Sequence, residues 1–202
     1  MNKMFIFDLD GVLVEACDWH RDSLNDALNE LYGFKIRQED HVKTFNGIPT
    51  SKKLMILSEM GLVPYEDNNK VNDLKQEKTI EIINKQAEIR PEKVELINYL
   101  KDHGYVVCCY TNSITKTAHL MLEKTGIKDL FNTIISNQDV KNPKPHPEGY
   151  LYLMKKYDIE KDRCYIIEDS PKGRQAAHAS GANVIEVDNS YNVTLRYIRS
   201  II

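Results

Sequence analysis

Apolar runs rich in β-branched and aromatic residues recur along the chain, and three of them end abruptly in polar clusters. These read MFIFDLDG at 4–11, YVVCCYTNS at 105–113 and CYIIEDSPKG at 164–173. Two weaker runs, TIIS at 133–136 and NVIEV at 183–187, follow the same rhythm. Because strands buried on both faces of a parallel sheet are almost continuously apolar, these runs predict parallel strands with polar residues at their carboxyl ends.

Amphipathic stretches lie between these runs from about residue 92 onward. In one of them, Leu96, Ile97 and Leu100 form an apolar stripe at helical spacing, and Gly104 follows as a C-terminal cap. A regular alternation of strand and helix is typical of a parallel sheet covered by helices. The predicted fold class is therefore α/β, with a doubly wound, Rossmannoid core.

The region from residue 16 to residue 85 has a different pattern, without a convincing strand. It contains an apolar stripe at helical spacing, formed by Leu24, Ala27, Leu28 and Leu31. Its length, about seventy residues, exceeds that of a single crossover helix. We therefore predict a helical cap of residues 16–85, inserted into a core of residues 1–15 and 86–202. Its internal breaks are expected at Gly33, at the turn Gly47-Ile48-Pro49 and from Gly61 to Pro64.

The composition limits both the size of the core and the partners. With 202 residues, 42% hydrophobic and 28% charged, the chain can bury one core plus a modest insertion, and disorder is excluded. Its 27 basic and 30 acidic residues give a net charge of −3, so no basic field attracts nucleic acid or anionic lipid. The first apolar run, about five residues, is too short for a signal peptide or a membrane span. We expect a cytoplasmic monomer or weak dimer without nucleic-acid or membrane partners.

The four cysteines form no disulfide or zinc pattern. They lie at positions 17, 108, 109 and 164 without C-x-x-C spacing, and Cys108 and Cys109 fall within an apolar run. Buried thiols pack as small hydrophobic groups, so we expect packing thiols rather than disulfides or a structural zinc site.

Polar side chains that follow three of the predicted strands should meet at one edge of the sheet, where open α/β sheets bind ligands. They are Asp8, Asp10, Thr111, Asn112, Glu168 and Asp169, joined by Lys144 from the loop NPKPHP. Four carboxylates in one pocket require compensation, because unpaired buried charge is costly. A divalent cation is the simplest compensation, since Mg²⁺ prefers hard oxygen ligands and keeps water molecules that a phosphate can replace.

The same residues resemble the motifs of a known family, the haloacid dehalogenase superfamily. FIFDLDGVL matches the first motif of the family, CCYTNS the second, Lys144 in PKPHP the third and IIEDSPKG the fourth. The four matches come in the family's order and strand context, and they span almost the whole chain. The chain is similar to the Mg²⁺-dependent phosphatase and phosphomutase branch that carries a helical cap.

The resemblance implies a phosphoryl transfer in two steps. Asp8 would attack phosphorus to form an aspartyl-phosphate, which divides a difficult hydrolysis into two easier transfers. Asp10 would protonate the leaving alcohol and afterwards take a proton from the hydrolytic water. Mg²⁺, held by Asp8, Asp169 and the backbone carbonyl of Asp10, would offset the repulsion between nucleophile and phosphate.

The resemblance also implies groups that bind phosphate. Thr111 would donate its hydroxyl to a phosphoryl oxygen, together with the backbone N–H of Asn112. Thr111 alone, like Asn112 or Ser113, could instead cap a helix. Lys144 would supply fixed positive charge to the phosphate and the nucleophile. Glu168 would complete the metal site, either through a water molecule or by orienting Lys144.

Residues of the predicted cap are candidates for substrate contacts. His20 lies where caps of this family often carry polar residues, although a surface helix histidine fits the pattern equally well. Thr50, Ser51 and Lys52 follow the predicted turn at Gly47, where family caps contact the leaving group. Family phosphomutases place an arginine shortly after this glycine to grip the non-transferring phosphate, and here Thr50 is nearest in position. This departure favours a phosphatase over a mutase.

The resulting hypothesis is a Mg²⁺-dependent phosphatase that acts on a small phosphorylated metabolite, such as a sugar phosphate. Asp10 disfavours the branches that cleave carbon–halogen or carbon–phosphorus bonds, which generally lack a carboxylate there because no alkoxide needs a proton. An inserted cap favours a small substrate that closure can enclose over a phosphoprotein. Two alternatives stay open: a phosphomutase acting on a hexose phosphate, and a catalytically weak phosphate-binding protein on the same fold.

Overall fold

The computed structural model of the chain describes residues 3–45 and 48–201. The chain divides into two compact units, one of Met1–Glu15 and Ala87–Ile202 and the other of Ala16–Gln86. The first unit carries the sheet, whereas the second is helical. None of the helices in the described part of the chain is long and apolar enough to cross a membrane.

The first unit is built on a parallel sheet, which has five strands among the described residues. The strands are β1 Met4–Phe7, β2 Val106–Tyr110, β3 Thr133–Ile135, β4 Cys164–Glu168 and β5 Asn183–Glu186. They lie in the order β3-β2-β1-β4-β5, and each neighbouring pair is parallel. The predicted α/β fold class is confirmed, and every predicted apolar run forms a strand.

Helices connect the strands and build the second unit. In chain order they are α1 Cys17–Tyr32, α2 Gln38–Asp40, α3 Thr50–Glu59, α4 Asn68–Gln86, α5 Pro91–Asp102, α6 Thr115–Lys124, α7 Glu148–Tyr157, α8 Pro171–Ser180 and α9 Leu195–Arg199. A π-helical segment, His41–Phe45, follows α2. Short 3₁₀ turns occupy Tyr65–Asp67, Lys128–Leu130, Lys161–Arg163 and Ser190–Asn192.

The strand order changes direction at β1. From β1 the chain proceeds outward to β2 and β3 on one side, and later to β4 and β5 on the other. At such a reversal, neighbouring loops leave the sheet in opposite directions and ligands bind between them. The register aligns Phe7 of β1 with Cys109 of β2 and with Ile167 of β4. Polar residues that follow these three strands are therefore brought to the same edge of the sheet.

Alternate strand residues fill the core of the first unit. Met4, Ile6, Cys108 and Ile166 point to one face of the sheet and join a buried cluster with Tyr150 of α7. The thiols of Cys108, Cys109 and Cys164 are buried and unbridged, and burial raises the pKa of each of them. The prediction that Cys108 and Cys109 pack as small hydrophobic groups is confirmed, whereas Cys17 is exposed.

The second unit buries the predicted stripe of α1. Leu24, Ala27 and Leu28 cluster with Leu54 and Leu57 of α3. This helical spacing presents one apolar face to the neighbouring helices, which stabilises each helix more than its intrinsic propensity does.

Glycine and proline residues mark the ends of helices in the second unit. Helix α1 ends at Gly33, which has a φ of 71° and donates its N–H to the Asn29 carbonyl oxygen at 3.0 Å. Helix α3 begins directly after Pro49 and is followed by Gly61, whose φ is also 71°. Gly47, in the predicted turn before α3, lies outside the described residues.

Lys93, near the start of α5, is fully buried in the first unit. Its Nζ donates to the carbonyl oxygens of Ser190 and Val193, the latter at 2.6 Å, and so ties α5 to the C-terminal segment. Burial lowers the pKa of Lys93 from 10.5 to about 8. Charged Lys93 therefore costs stability at neutral pH.

Measured relative to Lys93→Met, the free energy of unfolding of the wild type should rise between about pH 8 and pH 10.5, where the folded chain has lost the Lys93 proton that the unfolded chain still holds. The buried thiols, whose raised pKa values lower stability over the same range, are common to both proteins and cancel in this difference. The gain is up to about 3 kcal/mol, at about 1.4 kcal/mol per pKa unit. Urea unfolding of the wild type and of Lys93→Met across this pH range measures it. The slope of the wild type should be more positive than that of Lys93→Met across this range, and equal slopes for the two proteins would contradict the prediction.

Candidate active site

The loop after β1 carries the first two predicted site residues. Asp8 extends the pairing of β1, because its N–H donates to the Ile167 carbonyl oxygen of β4 at 3.0 Å. The chain then turns tightly at Gly11, which has a φ of 82° and donates its N–H to the Val14 carbonyl oxygen at 2.7 Å. Asp8 and Asp10 are thereby held on one short loop at the carboxyl end of the central strand.

Lys144 links the carboxylates that follow β1 and β4. Its Nζ lies 2.7 Å from Asp8 Oδ1 and donates a second hydrogen bond to Glu168 Oε1. Lys144 is 5% exposed, Asp8 6% and Glu168 0%, so water screens these ion pairs weakly. The predicted convergence of the three residues is observed.

The charges in this cluster do not balance. Burial, followed by the carboxylate of Glu168, raises the pKa of Asp8 well above its ordinary value, although Lys144 lowers it. Burial lowers the pKa of Lys144, but the carboxylates of Asp8 and Glu168 outweigh burial and raise it well above its ordinary value. Lys144 therefore stays charged, and the surplus negative charge favours an additional cation.

Asp169 provides a test of whether a metal ion fits. Its Oδ1 is buried and has no hydrogen-bond partner among the residues that the structure describes. Burial, followed by the charge of Glu168, raises the pKa of Asp169 to about 7. A Cβ at Gly11 would lie 2.1 Å from Asp169 Oδ2, so only glycine leaves room for this carboxylate.

Oxygen atoms of Asp8, Glu168 and Asp169 lie within 4.8 Å of one another. Three carboxylates, one of which has an oxygen without a hydrogen-bond partner in the described part of the chain, supply the hard oxygen donors that Mg²⁺ prefers. The chain's residues therefore fit a magnesium ion at this position.

Glu168 is fixed by neutral hydrogen-bond donors as well as by Lys144. Tyr150 donates its hydroxyl to Glu168 Oε1 at 2.8 Å. Ser170 donates its hydroxyl to Glu168 Oε2 at 3.3 Å and also accepts from the Gly173 N–H at 3.1 Å, which caps α8. A Cβ at Gly173 would lie 2.0 Å from Glu168 Oε2, so the first turn of α8 is shaped around this carboxylate.

Thr111, Asn112 and Ser113 follow β2 and surround Asp10 and Lys144. The Thr111 and Ser113 hydroxyls donate to Asp10 Oδ2 at 3.2 and 2.8 Å. The Asn112 side chain donates to the Lys144 carbonyl oxygen at 3.0 Å and accepts from the Lys144 N–H at 3.1 Å. Asn112 thus fixes the backbone from which the lysine projects.

The alternative role of these residues as a helix cap is wrong. Helix α6 begins at Thr115, and its cap position is Ile114, which makes no side-chain hydrogen bond to the helix. Thr111, Asn112 and Ser113 all precede the cap position, and the hydrogen bonds given above direct their side chains to Asp10 and Lys144.

The remaining predicted residues belong to the helical unit. His20 is half-buried on α1, and its Nδ1 lies 3.2 Å from Nζ of Lys75 on α4. Thr50, Ser51 and Lys52 form the first turn of α3, where Ser51 and Lys52 are exposed and Thr50 is half-buried. His20 is therefore engaged with a second basic residue inside its own unit.

Three residues that contact predicted site residues were not predicted from the sequence. Ser113 bonds Asp10, Tyr150 bonds Glu168, and the buried Lys75 contacts His20. Ser113 could have been found, because it stands in the same polar cluster as Thr111. Tyr150 and Lys75 lie within helices, where their spacing gives no sign of a polar partner.

Comparisons with known proteins agree on one family. Residues 5–187 match the family model described as haloacid dehalogenase-like hydrolase. A phosphoglycolate phosphatase from Haemophilus influenzae is 28% identical over 203 residues, which cover 96% of this chain and 88% of that protein. The fructose-1-phosphate phosphatase YqaB from Escherichia coli is 26% identical over 187 residues, which cover 90% of this chain and 94% of YqaB.

Solved structures share the fold. A β-phosphoglucomutase from Clostridium difficile matches with a TM-score of 0.79 and 24% identity, covering 99% of this chain and 96% of that one. CbbY from Rhodobacter sphaeroides, solved in complex with phosphate, matches with a TM-score of 0.82 and 20% identity, covering 95% and 88% of the two chains. At this level of identity, the likeness concerns the fold alone.

Proposed function

Because this chain belongs to the haloacid dehalogenase-like hydrolase family, we propose that it is a Mg²⁺-dependent phosphatase that hydrolyses a small phosphorylated metabolite through an aspartyl-phosphate. The observation that carries the proposal is the contact of 2.7 Å between Asp8 and Lys144, beside Asp10, at the carboxyl end of the central strand. A nucleophilic carboxylate, a proton donor two residues on and a fixed ammonium are the groups that this reaction needs.

Asp8 is the proposed nucleophile. A carboxylate oxygen of Asp8 attacks phosphorus, and the bond between phosphorus and the leaving alcohol breaks. Lys144 neutralises part of the charge that gathers between the carboxylate and the phosphoryl oxygens. In the second step water attacks the phosphoryl group, the bond to Asp8 breaks, and inorganic phosphate leaves.

Asp10 is the proposed general acid and base. It gives a proton to the leaving oxygen and then takes one from the attacking water. Its Oδ2 accepts hydrogen bonds from Thr111 and Ser113, which support its orientation on the loop. In the proposal, the Thr111 hydroxyl turns from Asp10 to a phosphoryl oxygen when substrate is present, together with the backbone N–H of Asn112, while Ser113 keeps its hydrogen bond to Asp10.

Asp8 and Asp169, with the backbone carbonyl of Asp10, are the proposed residues for Mg²⁺, and Glu168 acts through a water molecule or through Lys144. When bound, the ion would neutralise phosphoryl charge and act as a Lewis acid. The fit of Asp8, Glu168 and Asp169 to a magnesium ion supports this assignment.

The proposed substrate class is a small phosphate monoester. The relatives named above are a phosphoglycolate phosphatase and a fructose-1-phosphate phosphatase, and both names refer to small phosphorylated acids or sugars. We propose that the helical unit acts as the cap that selects among such esters.

Release of inorganic phosphate from a panel of esters, with and without Mg²⁺, tests the proposed function. The panel contains phosphoglycolate, fructose 1-phosphate, β-glucose 1-phosphate, a nucleoside monophosphate and p-nitrophenyl phosphate. We expect Mg²⁺-dependent release from at least one small ester. Conversion of glucose 1-phosphate to glucose 6-phosphate without release would favour the phosphomutase alternative. No turnover of any ester would favour a phosphate-binding protein.

Thr50, Ser51 and Lys52 are expected to set specificity rather than chemistry. Replacing all three with alanine should lower kcat/KM for the preferred metabolite by roughly tenfold, about 1.4 kcal/mol, because binding energy from the non-reacting part of a substrate supports its orientation. Hydrolysis of p-nitrophenyl phosphate, which has no such part, should barely change. Steady-state kinetics on both substrates measures the difference.

A matched triple variant controls for changes in the helical unit as a whole. Lys70, Asp73 and Glu77 form a set of exposed residues on α4, and their replacement by alanine should leave both substrates unaffected. If the variant of α3 loses activity equally on both substrates, its three residues support the fold instead. If it loses activity on neither, specificity arises elsewhere.

A further inference from the structure

Lys144 occupies a buried compartment with two tyrosines and two carboxylates. Its Nζ lies 4.8 Å from the centre of the Tyr110 ring and 5.4 Å from that of Tyr150. The two rings meet edge to face, with centroids 4.9 Å apart and an interplanar angle of 83°. Both tyrosines are fully buried. Such faces attract an ammonium ion and exclude the water that would otherwise compete for it.

The two tyrosine hydroxyls differ in their hydrogen bonding. Tyr150 donates to Glu168 Oε1, the same oxygen that accepts from Lys144. The hydroxyl of Tyr110 is buried and has no hydrogen-bond partner in the described part of the chain. Tyr110 therefore forms a wall of the compartment, whereas Tyr150 also makes a polar contact.

The backbone around Tyr150 is shaped to allow this arrangement. A Cβ at Gly149 would lie 2.4 Å from Cζ of Tyr110, so the residue before Tyr150 must lack a side chain for the two rings to meet. Tyr150 lies in the first turn of α7, six residues after Lys144. One short segment therefore carries both Lys144 and Tyr150, whose hydroxyl binds Glu168, the carboxylate partner of Lys144.

We propose that Tyr150 is a positioning residue, whose hydroxyl fixes the Glu168 carboxylate so that Glu168 holds the Lys144 ammonium against Asp8. A lysine side chain has four rotatable bonds, and a buried carboxylate without its donor turns toward another. Glu168 has no exposed surface, so water cannot replace a lost hydroxyl from the solvent side. Loss of the Tyr150 hydroxyl therefore lets Glu168 and Lys144 move together.

The inference rests on the proposed function only in that Lys144 acts on the reacting phosphate. Tyr150→Phe keeps the ring and removes the hydroxyl. We expect kcat to fall about tenfold or more, with KM within about twofold, because the misplaced ammonium affects the reaction more than it affects binding. Tyr110→Phe removes a hydroxyl without a hydrogen bond. Its fall in kcat should therefore be at least fivefold smaller than that of Tyr150→Phe.

Tyr157→Phe, on the same helix, is the control for loss of a tyrosine hydroxyl as such. The Tyr157 hydroxyl is hydrogen-bonded to Thr133 at 2.6 Å at the end of α7, and the variant should keep the wild-type kcat. If Tyr150→Phe keeps the wild-type kcat as well, the proposal is overturned.

A double-variant cycle tests whether Tyr150 acts through Glu168. If it does, adding Tyr150→Phe to Glu168→Gln should reduce kcat no further than Glu168→Gln alone, because the neutral amide no longer forms the ion pair with Lys144 through which the Tyr150 hydroxyl acts. Additive losses in the cycle would show that Tyr150 acts by another route, and would overturn the proposal.

A spectroscopic readout separates this inference from the proposed function. A buried, hydrogen-bonded ammonium exchanges its protons slowly, so the wild type should show a ¹H–¹⁵N correlation for the Lys144 side chain, assigned by its loss in Lys144→Met. Tyr150→Phe should shift or broaden this signal, whereas Tyr157→Phe should not. An unchanged signal would contradict the positioning role, whether or not the wild type is a phosphatase. A wild type that turns over no ester, with the signal altered in Tyr150→Phe, would reject the proposed function alone.

Discussion

Asp8→Asn should reduce phosphate release to less than about 1% of the wild-type rate, a loss of at least about 2.7 kcal/mol of transition-state stabilisation. An amide has nearly the shape of a carboxylate but cannot serve as the nucleophile. Phosphate release from the preferred ester measures the effect, and mass spectrometry of quenched turnover mixtures should find a phosphoryl group on Asp8 in the wild type only. Retention of several per cent of the rate would exclude covalent catalysis by Asp8.

The same substitution should leave the fold intact. Burial and the charge of Glu168 raise the pKa of Asp8, so the charged form is unfavourable there, and a neutral amide relieves that repulsion. We therefore expect the thermal midpoint of Asp8→Asn to be no lower than that of the wild type. Asp102→Asn, the same chemical change at an exposed residue, should keep full activity. A variant that loses activity together with its folded spectrum would report on folding instead.

The strands were predictable because burial on both faces leaves a plain signal. The residues of β1 and the last four of β2 are buried, so their sequences are nearly continuous apolar runs. The convergence of Asp8, Lys144 and Glu168 followed from a general rule about parallel sheets, since the carboxyl ends of adjacent strands meet at one edge. The sequence therefore indicated the reactive groups through their position at strand ends.

The contacts that orient these groups could not be predicted. Tyr150 belongs to an amphipathic helix, and its position in the sequence pattern is that of any core residue. Only the structure shows that its hydroxyl donates to Glu168. Gly149 and Gly173 are required by side chains that approach from Tyr110 and Glu168, not by local backbone conformation. The need for glycine at these positions depends on packing between elements that are distant in sequence. The spacing of neighbouring residues therefore does not predict it.

The contact of Lys75 with His20 was also not predictable from the sequence. Lys75 lies in α4, whose polar composition suggests a solvated helix, yet its side chain is 5% exposed and contacts His20. The stem of a lysine packs along apolar surface while its ammonium seeks a polar partner. The sequence predicted His20 as a candidate without indicating the residue that engages it.

Removal of divalent cations should stop phosphate release, and Mg²⁺ should restore it. Asp8, Glu168 and Asp169 place carboxylate oxygens within 4.8 Å of one another, and Lys144 balances only one of these charges. We expect less than about 1% of the Mg²⁺-supported rate in excess chelator, again a loss of about 2.7 kcal/mol or more. Ca²⁺, which takes more ligands at longer distances, should bind without supporting turnover and so inhibit. Undiminished phosphate release in excess chelator would remove the metal from the reaction.

Cation binding can also be measured without turnover. Burial and the charge of Glu168 raise the pKa of Asp169 to about 7, so protons compete with a cation below that pH, and half-saturation should need more Mg²⁺ as the pH falls from 8 to 6. A cation that binds only the folded state raises the thermal midpoint. Mg²⁺ should therefore stabilise the wild type and Asp162→Asn, a change at an exposed residue, but not Asp169→Asn. Equal stabilisation of all three proteins would mean that the cation binds away from Asp169, because the unpartnered Oδ1 of that residue would then contribute nothing to the binding.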